Sequence, residues 1–171
     1  AGTITLTATG ATSDVVVATT KSVTSAGGNI AINAPRDITL AGTGTVITSG
    51  TGTLTLRADS DSSGTGAINA NNSATAIQAG TGLVTLLAAQ GIGAGTTITN
   101  VTATNTASGN ISIVDTAGGL NVSTGGVNQT GTGTVGITAT GGTLNVNETV
   151  QSGGAGTITL TATGATSDVV V

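Results

Sequence analysis

The sequence predicts an all-β protein, a right-handed parallel β-helix (a β-solenoid) with about 25 residues per rung, about six to seven rungs and a roughly triangular cross-section. Three observations lead to this prediction: a glycine-led strand motif that recurs along the chain, a 17-residue segment that occurs twice, and a lack of Phe, Trp and Tyr in 171 residues. Aromatic side chains normally fill the space between layers, so their absence indicates an interior that is narrow everywhere.

The strand motif reads Gly-x-aliphatic-x-aliphatic-x-Ala and begins at seven glycines: Gly2, Gly28, Gly52, Gly82, Gly109, Gly133 and Gly156. Alternation with a period of two is typical of a strand with one buried face, and a leading glycine suits a corner. We expect the aliphatic residues of all seven copies to stack in one core ladder. Its members are Ile4, Leu6, Ile30, Ile32, Leu54, Leu56, Val84, Leu86, Ile111, Ile113, Val135, Ile137, Ile158 and Leu160.

Further short apolar stretches, such as Val15–Val17, follow the motif and leave room for three strands in each rung. The longest interval between leading glycines contains an extra stretch, Asp59–Gly66, which we expect to bulge from a corner as a loop. A β-sandwich of short strands is the competing fold, but it would not hold seven copies in one register.

The duplicated segment reads AGTITLTATGATSDVVV at Ala1–Val17 and again at Ala155–Val171. It predicts a single solenoid segment over residues 1–171, made of one tandem period (1–154) and the start of the next (155–171). A single coil cannot bury its own apolar face, so adjacent repeats of the same chain are the first partners that we expect.

The composition restricts the functions that the chain can have. Lys and Arg number only three and cannot neutralise many phosphates, so we expect no nucleic-acid partner. No apolar run is long enough to cross a bilayer, so we expect no membrane span in this segment. There is no His or Cys from which a nucleophile–base pair could be assembled, so we expect no catalytic residue, no enzyme activity and no cofactor.

Acidic residues are the candidate metal ligands, but the sequence predicts no metal site. Asp59 and Asp61 are weak candidates, since Ca²⁺ takes about six to eight oxygen ligands. Asp115 stands where the motif has Ala; a buried unpaired carboxylate is unfavourable, so a corner position is favoured over burial against a backbone N–H. We expect Pro35-Arg36-Asp37 to form a rigid corner with a local ion pair.

The outward positions of the motif raise two binding hypotheses. Leu83, Leu87 and Val114 fall on adjacent rungs of the predicted ladder and are candidates for a lateral contact between identical fibres, with scattered exposure as the alternative. The Thr-x-Thr runs suggest an ice-binding face, which would need Thr in every rung. The outward positions instead change to Asn29, Ala31, Asn33, Leu83, Leu87, Val114 and Gly136.

The motif copies GTITLTA (Gly2–Ala8), GNIAINA (Gly28–Ala34) and GTLTLRA (Gly52–Ala58), with DITLAG at Asp37–Gly42, resemble the repeats of filamentous-haemagglutinin-type proteins. The resemblance implies a bacterial, exported protein at the cell surface or outside the cell, with adhesive or fibre-forming work. We therefore expect the structural shaft of a long extracellular filament or surface adhesin. The alternative is a shaft that itself binds cell-surface glycans or an ice surface through its Thr- and Asn-rich faces.

Overall fold

The structure is a computed structural model that describes residues 2–171, and in this part of the chain all regular secondary structure is β-strand. Consistent with this, residues 2–171 include no helix that could span a membrane. The strands are β1 (Ile4–Thr7), β2 (Val15–Val17), β3 (Ser22–Ser25), β4 (Ile30–Ala34), β5 (Ile38–Leu40), β6 (Thr45–Thr48), β7 (Leu54–Ala58), β8 (Ile68–Ala70), β9 (Ile77–Gln78), β10 (Leu83–Ala88), β11 (Ile92–Thr97), β12 (Asn100–Asn105), β13 (Ile111–Asp115), β14 (Gly119–Gln129), β15 (Val135–Thr140), β16 (Thr143–Val146), β17 (Val150–Ser152), β18 (Ile158–Thr163) and β19 (Val169–Val170).

The strands form two sheets in which neighbouring strands are parallel. The first sheet has the order β1-β4-β7-β10-β12-β14-β16-β19, and β17 also pairs with β14. The second sheet has the order β2-β5-β8-β11-β13-β15-β18, and β3, β6 and β9 form a further row that joins it at β11. The chain therefore passes from one sheet to the other and back, adding one or two parallel strands at each pass. This all-β, coil-on-coil arrangement agrees with the predicted fold class.

The core lies between the two sheets and consists of small aliphatic side chains. Alternate residues of each strand point inward, as in β4, where Ile30, Ile32 and Ala34 are buried and the residues between them are partly exposed. The inward residues of successive coils stack in register, for example Ile30 on Leu54 and Ile32 on Leu56. Each fully buried aliphatic side chain contributes roughly 1.5–3 kcal/mol, so the core is built from many similar increments.

The prediction that all seven glycine-led strands stack in one ladder is wrong. Ile4, Ile30, Leu54 and Val84 do stack in the first sheet, but the next residue in that ladder is Val101. The last three motif copies lie in the second sheet instead, where Ile111, Val135 and Ile158 continue a ladder that begins with Val15, Ile38, Ile68 and Ile92.

A short coil causes this change of sheet. Leu83 pairs with Asn100, and the chain between these two partners is much shorter than the chain between Leu54 and its partner Val84. The short coil (residues 83–99) contains only β10 and β11, and β11 alone pairs with both β8 and β9. One strand of the usual three is therefore missing, and every later motif copy arrives on the opposite sheet.

The two sheets exchange roles at the short coil. Before it, each coil contributes one strand to the first sheet and two strands to the second sheet and its additional row. After it, the second sheet receives one strand per coil, while β14 bulges after Val122 and pairs with both β16 and β17 in the first sheet. The side that receives two strands per coil is therefore the second sheet before the short coil and the first sheet towards the end of the chain.

The leading glycines of the motif form a tightly packed corner. A Cβ atom at Gly28, Gly82 or Gly133 would collide with the carbonyl oxygen of the leading glycine in the preceding coil. Close backbone approach, rather than an unusual φ angle, explains glycine at Gly28 and Gly82. The corner therefore requires glycine in successive coils on steric grounds.

Candidate functional site

Polar side chains in residues 2–171 are distributed along the coils, and none of them form a group of three or more His, Cys, Asp and Glu that could hold a metal ion. A cleft with charged walls lies beside the loop Asp59–Gly66. It is open, has a volume of about 470 Å³, and is lined by residues that include Arg57, Asp59, Leu87 and Thr104. Arg57, Leu87 and Thr104 are neighbours in one outward row of the first sheet, so the loop overhangs the sheet surface.

The two weak metal-ligand candidates are used to close the loop itself. The Asp59 carboxylate accepts hydrogen bonds from Ser63 Oγ (3.1 Å) and from the Gly64 amide (2.9 Å). Asp61 Oδ1 accepts a longer bond from the Ser63 amide (3.3 Å). Asp59 has a φ of 59°, a left-handed conformation that aspartate tolerates in turns. These contacts explain the acidic pair as part of a turn.

The three candidate residues for a lateral contact do not form one patch. Leu83 and Leu87 are half-buried in β10 of the first sheet, and Leu87 lines the cleft. Val114 is 41% exposed but lies in β13 of the second sheet, next to Gly95 and Thr138. The predicted adjacency of these residues is wrong because the short coil places their strands on different sheets.

A bidentate ion pair connects the first two coils. Arg36 Nε and Nη2 donate to the two carboxylate oxygens of Asp14 at 2.8 and 2.6 Å. Asp14 also accepts the Asp37 amide (3.0 Å), and Asp37 in turn accepts the Ala67 amide of the third coil (2.8 Å). The hydrogen bonds from Arg36 and from the Asp37 amide lower the pKa of Asp14 to about 2. The predicted ion pair within Pro35-Arg36-Asp37 is therefore wrong: Arg36 bridges coils.

Asp115 is fully buried, and the expected corner position is wrong. It lies at the end of β13 and accepts hydrogen bonds from the Ile98 amide, from Thr96 Oγ1 and from the Ala117 amide, each at 2.9 Å. Burial raises the pKa of Asp115, while these donors oppose the rise. The carboxylate accepts hydrogen bonds from N–H groups at the tight corner of the short coil, and an Ala side chain could not do so.

A further polar feature escapes the sequence analysis, namely a column of inward polar residues at the corner before the leading glycines. Asn105 and Gln129 are fully buried, and Asn105 Nδ2 donates to Gln129 Oε1 at 2.7 Å. The Gly91 amide donates to Asn105 Oδ1 at 2.8 Å. In other coils a hydroxyl at this corner bonds to the adjacent coil. Thr48 Oγ1 donates to the Gly28 carbonyl (2.7 Å), and Ser152 Oγ donates to the Gly133 carbonyl (2.8 Å). The detectable signal is a polar residue four positions before a leading glycine.

The outer surface carries a short amide column. Asn121 lies between Asn100 and Asn145 in adjacent strands of the first sheet. Asn121 Nδ2 donates to Asn100 Oδ1 at 3.1 Å, and Asn145 Nδ2 donates to Asn121 Oδ1 at 2.9 Å. These side chains are only partly buried, so the column ties three coils together and leaves amide groups at the surface.

The threonine rows are less regular than an ice-binding face would require. One outward row of the first sheet contains Thr5, Thr55, Thr85 and Thr102, with Ala31 as the interruption. The adjacent row replaces Thr by Asn, Arg and Leu in its central coils. Neither of these two rows is therefore an unbroken threonine ladder.

Comparison with known proteins adds no assignment to these features. No family model matches the chain, and neither the curated proteins nor the solved structures contain a match. The parallel ladders, the polar corners and the surface columns are the features from which a function can be inferred.

Proposed function

We propose that the chain is a section of the structural shaft of a long extracellular bacterial filament or surface adhesin. In this proposal the coils form a right-handed, roughly triangular β-helix of about six to seven rungs, since parallel crossovers are nearly always right-handed. The shaft is built from tandem units and holds cells to one another or to a surface, or forms fibres. Its partners are adjacent repeats of the same chain and, at its tip or sides, other fibres or surface glycans.

One observation carries the proposal: the second copy of the duplicated segment continues the ladders of the coils before it. β18, which belongs to this copy, pairs in parallel with β15 along its whole length. β19, from the same copy, pairs with β16. The start of a unit therefore stacks on the end of a unit with the same register that joins coils within it.

The cross-coil polar contacts suit a load-bearing role. The Arg36–Asp14 pair, the buried Asn105–Gln129 bond and the outer asparagine column each connect neighbouring coils. Together with the backbone ladders they place the directional interactions along the stacking axis, where a shaft carries tension.

The test is to locate and image the native molecule. Antibodies raised against the 171-residue chain should label intact cells that produce the protein as strongly as permeabilised cells. Electron micrographs of molecules detached from the surface should show continuous rods with an axial rise per unit near roughly 30 Å, from about 4.8 Å per coil. Labelling only after permeabilisation, or globular beads on a string, would contradict the proposal.

The asparagine column favours a second candidate function, in which the shaft itself binds glycans. Amide groups both donate and accept hydrogen bonds, as sugar hydroxyls do, and the column repeats them at about 4.8 Å. Soluble surface oligosaccharides should then bind the isolated chain saturably, and Asn121→Ala should weaken this binding at least tenfold. Thr159→Ala, on the outer face of the second sheet, is the matched control. Equal binding by both variants would exclude the column as the site.

A further inference from the structure

The duplicated segment occupies opposite sheets at the two ends of the structure. In the first copy, β1 lies in the first sheet and β2 lies in the second. In the second copy, β18 lies in the second sheet and β19 lies in the first. The two copies have the same 17 letters, so the sheet on which a strand lies depends on the coils that it pairs with and not on its own residues alone.

The pairing partners show the exchange residue by residue. Ile4 pairs with Ile30 of the first sheet, whereas its counterpart Ile158 pairs with Val135 of the second. Val15 pairs with Ile38 of the second sheet, whereas its counterpart Val169 pairs with Leu144 of the first. The counterparts stack on equivalent aliphatic partners, so either sheet accepts the same strand.

The corners show that the whole cross-section is turned. At the start of the chain, Ser25 ends the second-sheet row β3 and its hydroxyl contacts the Gly2 carbonyl at 3.4 Å. At the other end, Ser152 closes β17 of the first sheet and donates to the Gly133 carbonyl at 2.8 Å. The same corner chemistry thus occurs on opposite sides of the stack.

The number of coils explains the turn. β1 and β19 are seven steps apart in the first sheet, whereas β2 and β18 are six steps apart in the second. One unit therefore spans about six and a half coils, because the short coil omits one strand. Without that omission each unit would begin on the sheet where the previous one began.

We infer that tandem units join with a half-turn about the stacking axis, so that the end of one unit binds the start of the next through the opposite sheet. This inference rests on the proposed role as a shaft of tandem units. The terminal coil then binds an identical unit, and the strand of that unit that corresponds to β3 pairs with β17. Each surface feature then faces opposite directions in successive units, and the structural period is two units.

The chain contains no cysteine, so engineered disulfides can map the join in the 171-residue protein itself. Parallel neighbours at outward positions have Cα separations within the range that disulfides need. Thr138→Cys with Thr161→Cys, and Asn145→Cys with Val170→Cys, should each close a bond under mild oxidation, as judged by free-thiol titration and non-reducing mass spectrometry. Thr5→Cys with Ala31→Cys is the matched pair at the first copy and should close as well.

The rival arrangement keeps both copies on the same sheet and has its own pair, Asn145→Cys with Thr159→Cys. Closure of that pair would overturn the inference, as would failure of the Thr138–Thr161 pair in a protein whose Thr5–Ala31 pair closes. These readouts are independent of where the protein functions. A chain that is absent from the cell surface can still give the expected disulfide pattern, so the inference and the proposed function can fail separately.

Discussion

At the scale of single residues, several of the few charged groups of this protein connect backbone segments. Asp115 occupies a position where the other motif copies have Ala, and it accepts N–H groups from both its own corner and that of the short coil. Asp14 accepts a guanidinium and an amide from the next coil. In a narrow interior with few polar side chains, such a carboxylate satisfies donors that no strand above or below can reach.

Asp115→Ala should destabilise the protein strongly although it restores the motif. The substitution leaves the buried Ile98 amide without its partner, removes the shorter of the two hydrogen bonds of the Thr96 hydroxyl and frees the partly buried Ala117 amide. An unsatisfied buried donor costs about 1–3 kcal/mol. We expect a loss of about 1–3 kcal/mol in the free energy of unfolding, measured by urea denaturation. Asp61→Ala, in the exposed loop, is the control and should change stability by less than about 0.5 kcal/mol. Equal stability of the two variants would contradict the assigned role of Asp115.

Asp115 should also make stability depend on pH in a defined direction. Its pKa is raised in the folded state above 3.8, so the folded protein binds a proton more readily than the unfolded chain. Its contribution is therefore most favourable at low pH, declines as pH rises from about 3.8 through the raised pKa, and is constant above it. Asp115→Asn should remove this decline in thermal unfolding recorded between about pH 3 and pH 8. A decline of the same size in the variant would show that other groups cause it.

The Asp14–Arg36 pair makes stability depend on pH in the opposite direction. The pKa of Asp14 falls to about 2, below the ordinary 3.8, so its stabilising effect is present above 3.8 and is lost as pH falls towards 2. Carboxyl chemical shifts from NMR should place the Asp14 midpoint near 2. In Arg36→Gln the midpoint should rise towards the ordinary value, whereas Arg57→Gln should leave it in place. An Asp14 midpoint unchanged by Arg36→Gln would mean that the pair does not form in solution.

At the scale of elements, the short coil is the feature that distinguishes one half of the molecule from the other. β11 pairs with β8 through Ile92–Ala94 and with β9 through Thr96–Thr97, so the segment between β8 and β9 must bulge outward over it. Gly95 lies beneath this bulge, and a Cβ there would collide with the Ser73 carbonyl. A glycine at this point allows two short strands of one coil to rest on a single strand of the next.

Gly95→Ala should therefore destabilise the short coil. The added Cβ displaces the segment at Ser73, and we expect a loss of roughly 1–3 kcal/mol, as for overpacked sites. Gly136→Ala is the matched control, since Gly136 also lies at an outward position of the second sheet and its Cβ would meet nothing closer than the Ile111 carbonyl at 4.0 Å. Thermal unfolding should separate the two variants by several degrees. Similar melting temperatures would contradict the packing described for the bulge.

Much of the fold could be predicted from the sequence, because period-two alternation and repeated glycines are local signals. The choice of sheet could not, since Ile4 and Ile158 share identical neighbours in sequence yet stack on different sheets. The burial of Asp115 could not be predicted either. Its donor, the Ile98 amide, belongs to the short coil, and the length of that coil is known only once the strand pairing is known. The charged bridge from Arg36 to Asp14 spans 22 positions and likewise depends on the register between coils.

At the scale of the whole molecule, stability is the sum of contacts between neighbouring coils, and length can grow without changing any coil. The first sheet ends in β1 and β19, and the second ends in β2 and β18. Apolar residues at the last coil, including Ile158 (41% exposed), are covered only on one side. A further unit would cover them and pair the open strand edges.

A two-unit chain should be longer than the single unit by about 31 Å, from six and a half coils at about 4.8 Å each. Spin labels at Ser62 and at its counterpart in the second unit should lie on opposite corners. Because a six-residue wall spans roughly 20 Å, their distance should be at least about 37 Å, against about 31 Å for a purely axial separation. In a three-unit chain, labels on the first and third units should lie about 62 Å apart on the same side and provide the control. A two-unit distance equal to the purely axial value would exclude the half-turn.

The occurrence of one sequence on both sheets has a consequence for how such a gene can change. If recombination between identical copies removes or inserts a whole unit, we expect either product to fold, because every strand would find an equivalent partner on the sheet that it reaches. In the proposed shaft, however, the direction in which the distal end faces would depend on whether the number of units is odd or even. We expect chains that differ by one unit to have their distal ends facing opposite sides, so that a change in copy number would alter orientation as well as length.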